Sequence, residues 1–158
     1  MTELTLETLV SMLNKKGYEA KIQKETGQAY AIFKEDDQEF PLFCRIYESG
    51  ELLQLIAFFP YQLESKVLSD IARLLHLLNK ELDIPGFGMD EFGGVAFFRC
   101  MMNTPGKKLD ENMLDLYLDS IRLACKSFGP TIAAVTSGAT SVDDIIEKAQ
   151  DAVKGMKE

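Results

Sequence analysis

The residue types that carry chemistry are sparse in this chain of 158 residues, and their spacing builds no recognisable reaction centre. His76 is the single histidine. At helical spacing its neighbours are Arg73 and Lys80, and it reads as a solvated surface residue. Cys44, Cys100 and Cys125 lie far apart and form no CxxC pair, so they suggest neither a disulfide framework nor a zinc site. Each sits in an apolar segment, where a free cysteine behaves as a small hydrophobe replaceable by Ala or Ser at a packing cost alone. Adjacent acids occur at Asp36-Asp37, Asp90-Glu91 and Asp143-Asp144. Turns and the first turns of helices favour such pairs, whereas acid–base catalysis needs them buried and convergent. Gly86-Phe87-Gly88 begins like the dinucleotide fingerprint GxGxxG, but position 91 is Glu and the segment follows a helix, so it reads as a turn. The sequence has no HExxH, Walker A, GxSxG or EF-hand loop. No catalytic residue, metal or cofactor is expected, although a small-molecule or enzyme site invisible as a motif remains the alternative.

Length and composition point the same way. One domain of this size with 46% apolar residues can bury a real core, which excludes general disorder. With 17 Lys plus Arg against 25 Asp plus Glu, the net charge of -8 suits neither nucleic acid nor an anionic membrane surface. It permits a protein partner. The longest unbroken apolar run is Leu55–Phe59, too short to span a bilayer. Glu3 and Glu7 stand where a signal peptide needs cations, and with the unpaired cysteines this predicts a reducing, bacterial-type cytoplasmic setting.

The periodicities predict the elements that position any site. A helix is expected over 5–16, capped by Thr5 and ended by Gly17. Strands follow at 18–22, 29–34, 40–48 and 51–59, separated by the turns Thr26-Gly27-Gln28, 35–38 and Ser49-Gly50. Residues 63–82 carry the clearest helical stripe, Val67, Ile71, Leu74, Leu75, Leu78 and Leu82. Strands at 87–90 and 95–102 come next, then a helix at 110–128 expected to stop before Gly129-Pro130, with 131–135 open to a further helical turn. A small, polar linker follows at 136–140, and a final amphipathic helix begins at Ser141. The order α-β-β-β-β-α-β-β-α plus a C-terminal helix predicts an α+β fold with an antiparallel sheet packed by helices. Residues 1–136 form the expected domain, and 137–158 the linker and terminal helix.

Apolar residues exceed what one core needs. Leu116 and Leu123 fall outside the main stripe of the 110–128 helix, and the second faces of the strands carry Phe43, Tyr47, Ile56 and Phe58. These six are the candidate partner-binding or dimer residues, covered either by the terminal helix or by another chain. Changing both leucines to Glu is expected to weaken a homodimer. The stretch FPLFCRIYESGELLQLIAFFP, the helix ending LLNKELDIPGFGMDEFGGVAFFRCMM and the later FGPTIAAV resemble the YbjN family, itself similar in fold to type III secretion chaperones of the Tir-chaperone kind. Leu78-Asn79 near a helix end and Gly86-Phe87 in a short strand carry part of that pattern. The resemblance implies a chaperone-like module or regulator, a small acidic homodimer holding an extended or helical segment of a protein partner such as a secreted effector or a regulatory protein. It implies no catalytic residues.

Overall fold

A computed structural model describes residues 1–157. Thr2–Glu3 forms a short strand, β1, and Leu6–Lys15 the first helix, α1. The Thr5 hydroxyl accepts from the Thr8 N–H at 3.1 Å while the Thr8 hydroxyl accepts from the Thr5 N–H at 3.0 Å, a reciprocal cap that satisfies otherwise orphaned donors. Strands β2 (Lys21–Gln23), β3 (Gln28–Glu35), β4 (Gln38–Ile46) and β5 (Leu52–Phe58) then pair antiparallel in chain order. The first of these starts later than the expected Tyr18. Asn14 Oδ1 accepts from the Ala20 N–H at 2.6 Å and holds the chain against the end of α1. Asp36 (φ +47°) and Asp37 (φ +66°) make the two-residue turn between β3 and β4, left-handed at both positions as such hairpins require.

Helix α2 covers Leu68–Lys80, five residues shorter at its start than the periodicity predicts. Leu63 is used otherwise: it is buried and its N–H donates to the Gly94 carbonyl at 2.8 Å, and one 3-10 turn at Ser65–Val67 precedes the helix. Strands β6 (Phe87–Asp90) and β7 (Val95–Asn103) form a hairpin, and β8 (Lys108–Leu109) pairs with β1, a contact the sequence pattern does not announce.

Helix α3 runs over Glu111–Ser137, straight through Gly129-Pro130. Proline removes one helical donor there, but burial decides the outcome. Ile132 and Val135 are anchored in the core beyond it, and Gly129 lies so close to Phe40 that a Cβ would come within 3.2 Å of the ring. Gly138, left-handed at φ +82°, ends α3, and the Ala139 N–H donates to the Ala134 carbonyl at 2.9 Å. Thr136 and Ser137 therefore belong to the helix, and the chain turns tightly into α4, Val142–Lys157. The Ser141 hydroxyl caps that helix by accepting from the Asp144 N–H at 3.1 Å.

The fold is α+β, as expected. Six antiparallel strands lie in the order β2-β3-β4-β5-β7-β6, and α1, α2 and α3 pack on one face of them. Phe33, Phe40, Leu42, Leu53, Leu55 and Phe98 fill the space between. The edge strand β6 is finished by a side chain. Asn79 Oδ1 accepts from the N–H groups of Gly86 (3.2 Å) and Phe87 (2.9 Å), while its Nδ2 donates to the Phe87 carbonyl at 2.9 Å. One amide thus does for β6 what a further strand would do. The two glycines around Phe87 have steric roles. A Cβ at Gly86 would collide with the Arg99 carbonyl oxygen, and one at Gly88 would fall 2.6 Å from the Phe97 ring. Gly86-Phe87-Gly88 is a close-packed strand and not a phosphate loop.

Candidate functional site

Among the described residues, no helix packs on the opposite face of the sheet. The terminal helix α4 does not cross it. Val142 is buried at its start, and Arg73 Nη1 on α2 donates to Asp143 Oδ1 at 2.8 Å. The pairing register decides which side chains share the open face. Tyr30 stands opposite Phe43, Phe43 opposite Ile56, Ile56 opposite Arg99, and Phe58 opposite Phe97. Four rings form a connected row across four strands: centroids lie 5.1 Å apart for Tyr30–Phe43, 5.8 Å for Phe43–Phe58 and 6.1 Å for Phe58–Phe97. All four residues are half-buried by one another and by their neighbours.

The same face is the cationic side of an acidic protein. Lys21, Lys34, Arg45 and Arg99 project from it, against Glu39 and Asp90. Arg45 lies over the Tyr47 ring (4.9 Å) and Arg99 over Phe97 (5.7 Å). Stacking holds each guanidinium flat while leaving its N–H edges free, and neither makes an ion pair among the described residues.

Of the six candidate residues, Phe43, Tyr47, Ile56 and Phe58 come together here, the Tyr47 hydroxyl donating to Gln54 Oε1 at 3.4 Å. Leu116 and Leu123 do not join them. They lie on α3, on the helical side of the molecule, 52% and 64% exposed. Tyr30, Phe97, Arg45 and Arg99 complete the open face and were missing from the candidate set. Phe92, fully exposed at the tip of the β6–β7 hairpin, was missing as well.

Residues 5–134 match the YbjN family, described as "Putative bacterial sensory transduction regulator". The chain belongs to the YbjN family. No curated protein matches it. The family description speaks of regulation in sensory transduction. Asn79, Gly86 and Phe87, part of the pattern on which the resemblance was read, form the clamp of β6.

The titratable groups inside the molecule are thiols. Burial pushes Cys44 up to about 12 and Cys100 to about 11; burial and then the Glu35 charge push Cys125 to about 12, all from 9.0. They are protonated and inert as nucleophiles near neutrality. Among the described residues no three His, Cys, Asp or Glu side chains gather as a metal site, and no helix is long and apolar enough to cross a membrane. A polar basin of about 470 Å³ beside β2 holds Lys16 and Arg122, but Asp115 and Glu111 neutralise the first and Glu35 the second.

The raised thiol values set an alkaline limit to stability. An unfolded thiol loses its proton near 9 while the folded one keeps it, so its contribution is complete below pH 9 and is lost as pH rises toward the folded values. Each thiol adds a slope of about 1.4 kcal/mol per pH unit in that window. The urea midpoint should be level from pH 7 to 8.5 and fall steeply above 9. The double variant Cys44→Ala/Cys125→Ala should show a shallower fall from a lower plateau. A wild-type midpoint unchanged between pH 8 and 10.5 would contradict the assignment.

Proposed function

We propose that this protein is a non-enzymatic regulatory module that holds a segment of a protein partner on the helix-free face of its sheet. The observation that carries this reading is the aromatic row Tyr30–Phe43–Phe58–Phe97 on the one face no helix covers, bordered by stacked, unpaired arginines. A row of rings supplies large contact area at low entropic cost, and arginine edges add direction. The family description supports a regulator. The mode resembles that of a type III secretion chaperone, which keeps a client segment bound without acting on it. A secreted effector and a regulatory protein both fit this mode, and the cationic border favours a segment combining acidic with aromatic or aliphatic residues.

The test is a random peptide library displayed on phage and panned against the intact protein. Enriched peptides should pair acids with large apolar residues. The Phe43→Glu/Phe58→Glu variant should lose their binding by at least 100-fold while its circular dichroism stays native, because these side chains face outward. Equal binding to wild type and variant, or enrichment of basic sequences, would reject the reading.

A further inference from the structure

Helix α4 carries Val142, Ile146, Ala149, Val153 and Met156, a four-three alternation that draws one narrow apolar seam along its length. Helix α2 covers only the beginning of that seam. Val142 is 2% exposed and Ile145 and Ile146 are half-buried, but Val153 is 51% and Met156 85% exposed. Between the two helices runs an open groove of about 870 Å³, floored by Leu74, Leu77 and Leu78. We infer that α4 of a second copy of this chain occupies the groove, antiparallel to the first, about a two-fold axis through Ala149.

Two observations select a second copy in this orientation. The first is the symmetry of the seam. Ala149 lies seven residues from both Val142 and Met156. An antiparallel mate therefore brings its Met156 level with Val142, over the leucine floor, and the Ala149 residues of the two copies meet where the helices cross. A flexible thioether suits an irregular groove. The second is charge. Asp143, Asp144 and Glu147, with Lys148, precede Ala149 on α4, whereas Asp151 and Lys154 follow it. Antiparallel pairing sets the acidic half against a half in which Asp151 and Lys154 balance, and it opposes the helix dipoles. A parallel pair stacks Asp143 and Asp144 on their own copies. Beside the crossing stand Gln150 and Ala152, both uncharged.

Such a pair is isologous and closed, and it leaves the helix-free face of both copies open. The inference thus stands apart from the partner-binding reading. Sedimentation of the intact protein at about 50 µM should give twice the 17.7 kDa chain mass. Val153→Glu/Met156→Glu, at positions already exposed, should weaken the dimer at least 100-fold without lowering the monomer's helicity. Leu116→Glu/Leu123→Glu, the change expected from the sequence alone to weaken a dimer, should leave this one intact. Geometry is read by oxidative cross-linking, since the three native cysteines are buried. Ala149→Cys should join two copies within minutes. Met156→Cys should not, because its two copies lie about 21 Å apart in the antiparallel pair at 1.5 Å per residue. A monomeric wild type, a dimer broken by the α3 leucines but not by the α4 variant, or rapid cross-linking through position 156 would each overturn the proposal.

Discussion

Replacing Asn79 by alanine is expected to lower stability by about 3 kcal/mol, although no apolar contact of any size is lost. The asparagine amide satisfies three backbone groups on the outer edge of β6, two N–H groups and one carbonyl. Alanine leaves all three to compete for water in a partly buried position, and an unmade hydrogen bond costs more than a made one contributes. For a chain of this length the melting temperature should fall by roughly 6–12 °C. Asn79→Asp sharpens the test. A carboxylate still accepts from Gly86 and Phe87 but cannot donate to the Phe87 carbonyl, so its loss should lie between wild type and alanine. An alanine variant melting within 2 °C of wild type would mean that water replaces the clamp at no cost.

The second large effect is expected at Phe87, the residue that clamp holds in place. Its ring meets Phe98 at 4.8 Å, Phe59 at 5.9 Å and Phe128 at 5.7 Å, joining β6 to β7, to the end of β5 and to α3. It is 7% exposed. Truncation to alanine removes a ring at the junction of three elements and leaves a cavity that the rigid sheet cannot close, at about 3–5 kcal/mol. That is a large share of the roughly 5–15 kcal/mol that keeps a domain folded. Phe87→Leu should recover about half of the loss. Denaturant melts of the two variants measure both values. An alanine cost under about 1 kcal/mol would show that the neighbouring rings collapse into the gap.

These two sites also show what the sequence makes readable. Leu78-Asn79 and Gly86-Phe87 stand out as a pattern, yet nothing local says that the asparagine reaches seven and eight residues ahead to serve as an edge. The strands were legible because apolar residues alternate, and the second apolar face was legible for the same reason. Tyr30 was within reach: the two-residue turn at Asp36-Asp37 sets it opposite Phe43. Phe97 was not, because β5 and β7 are joined through a whole helix and a hairpin, and no turn fixes their register. Helix ends were misjudged where burial overrode a local signal. Pro130 reads as a stop, but Ile132 and Val135 carry α3 past it. Leu116 and Leu123 were correctly seen as surplus to the core, whereas their separation from the aromatic row depends on which side of the sheet α3 occupies.

The pairing of β1 with β8 has a consequence for the order of events during synthesis. Glu3 lies opposite Lys108, and the Leu4 N–H donates to the Lys107 carbonyl at 2.9 Å. The β3–β4–β5 meander can close as soon as it leaves the ribosome, since its partners are neighbours in the chain. The strand before α1 cannot. Its partner emerges about 105 residues later, on the order of 5–20 s at ordinary elongation rates. Throughout that interval α1 lacks its flanking tie, and Leu4, Leu9 and Leu13 await the rest of the core. The strand and helix made before the meander are thus among the last to be secured.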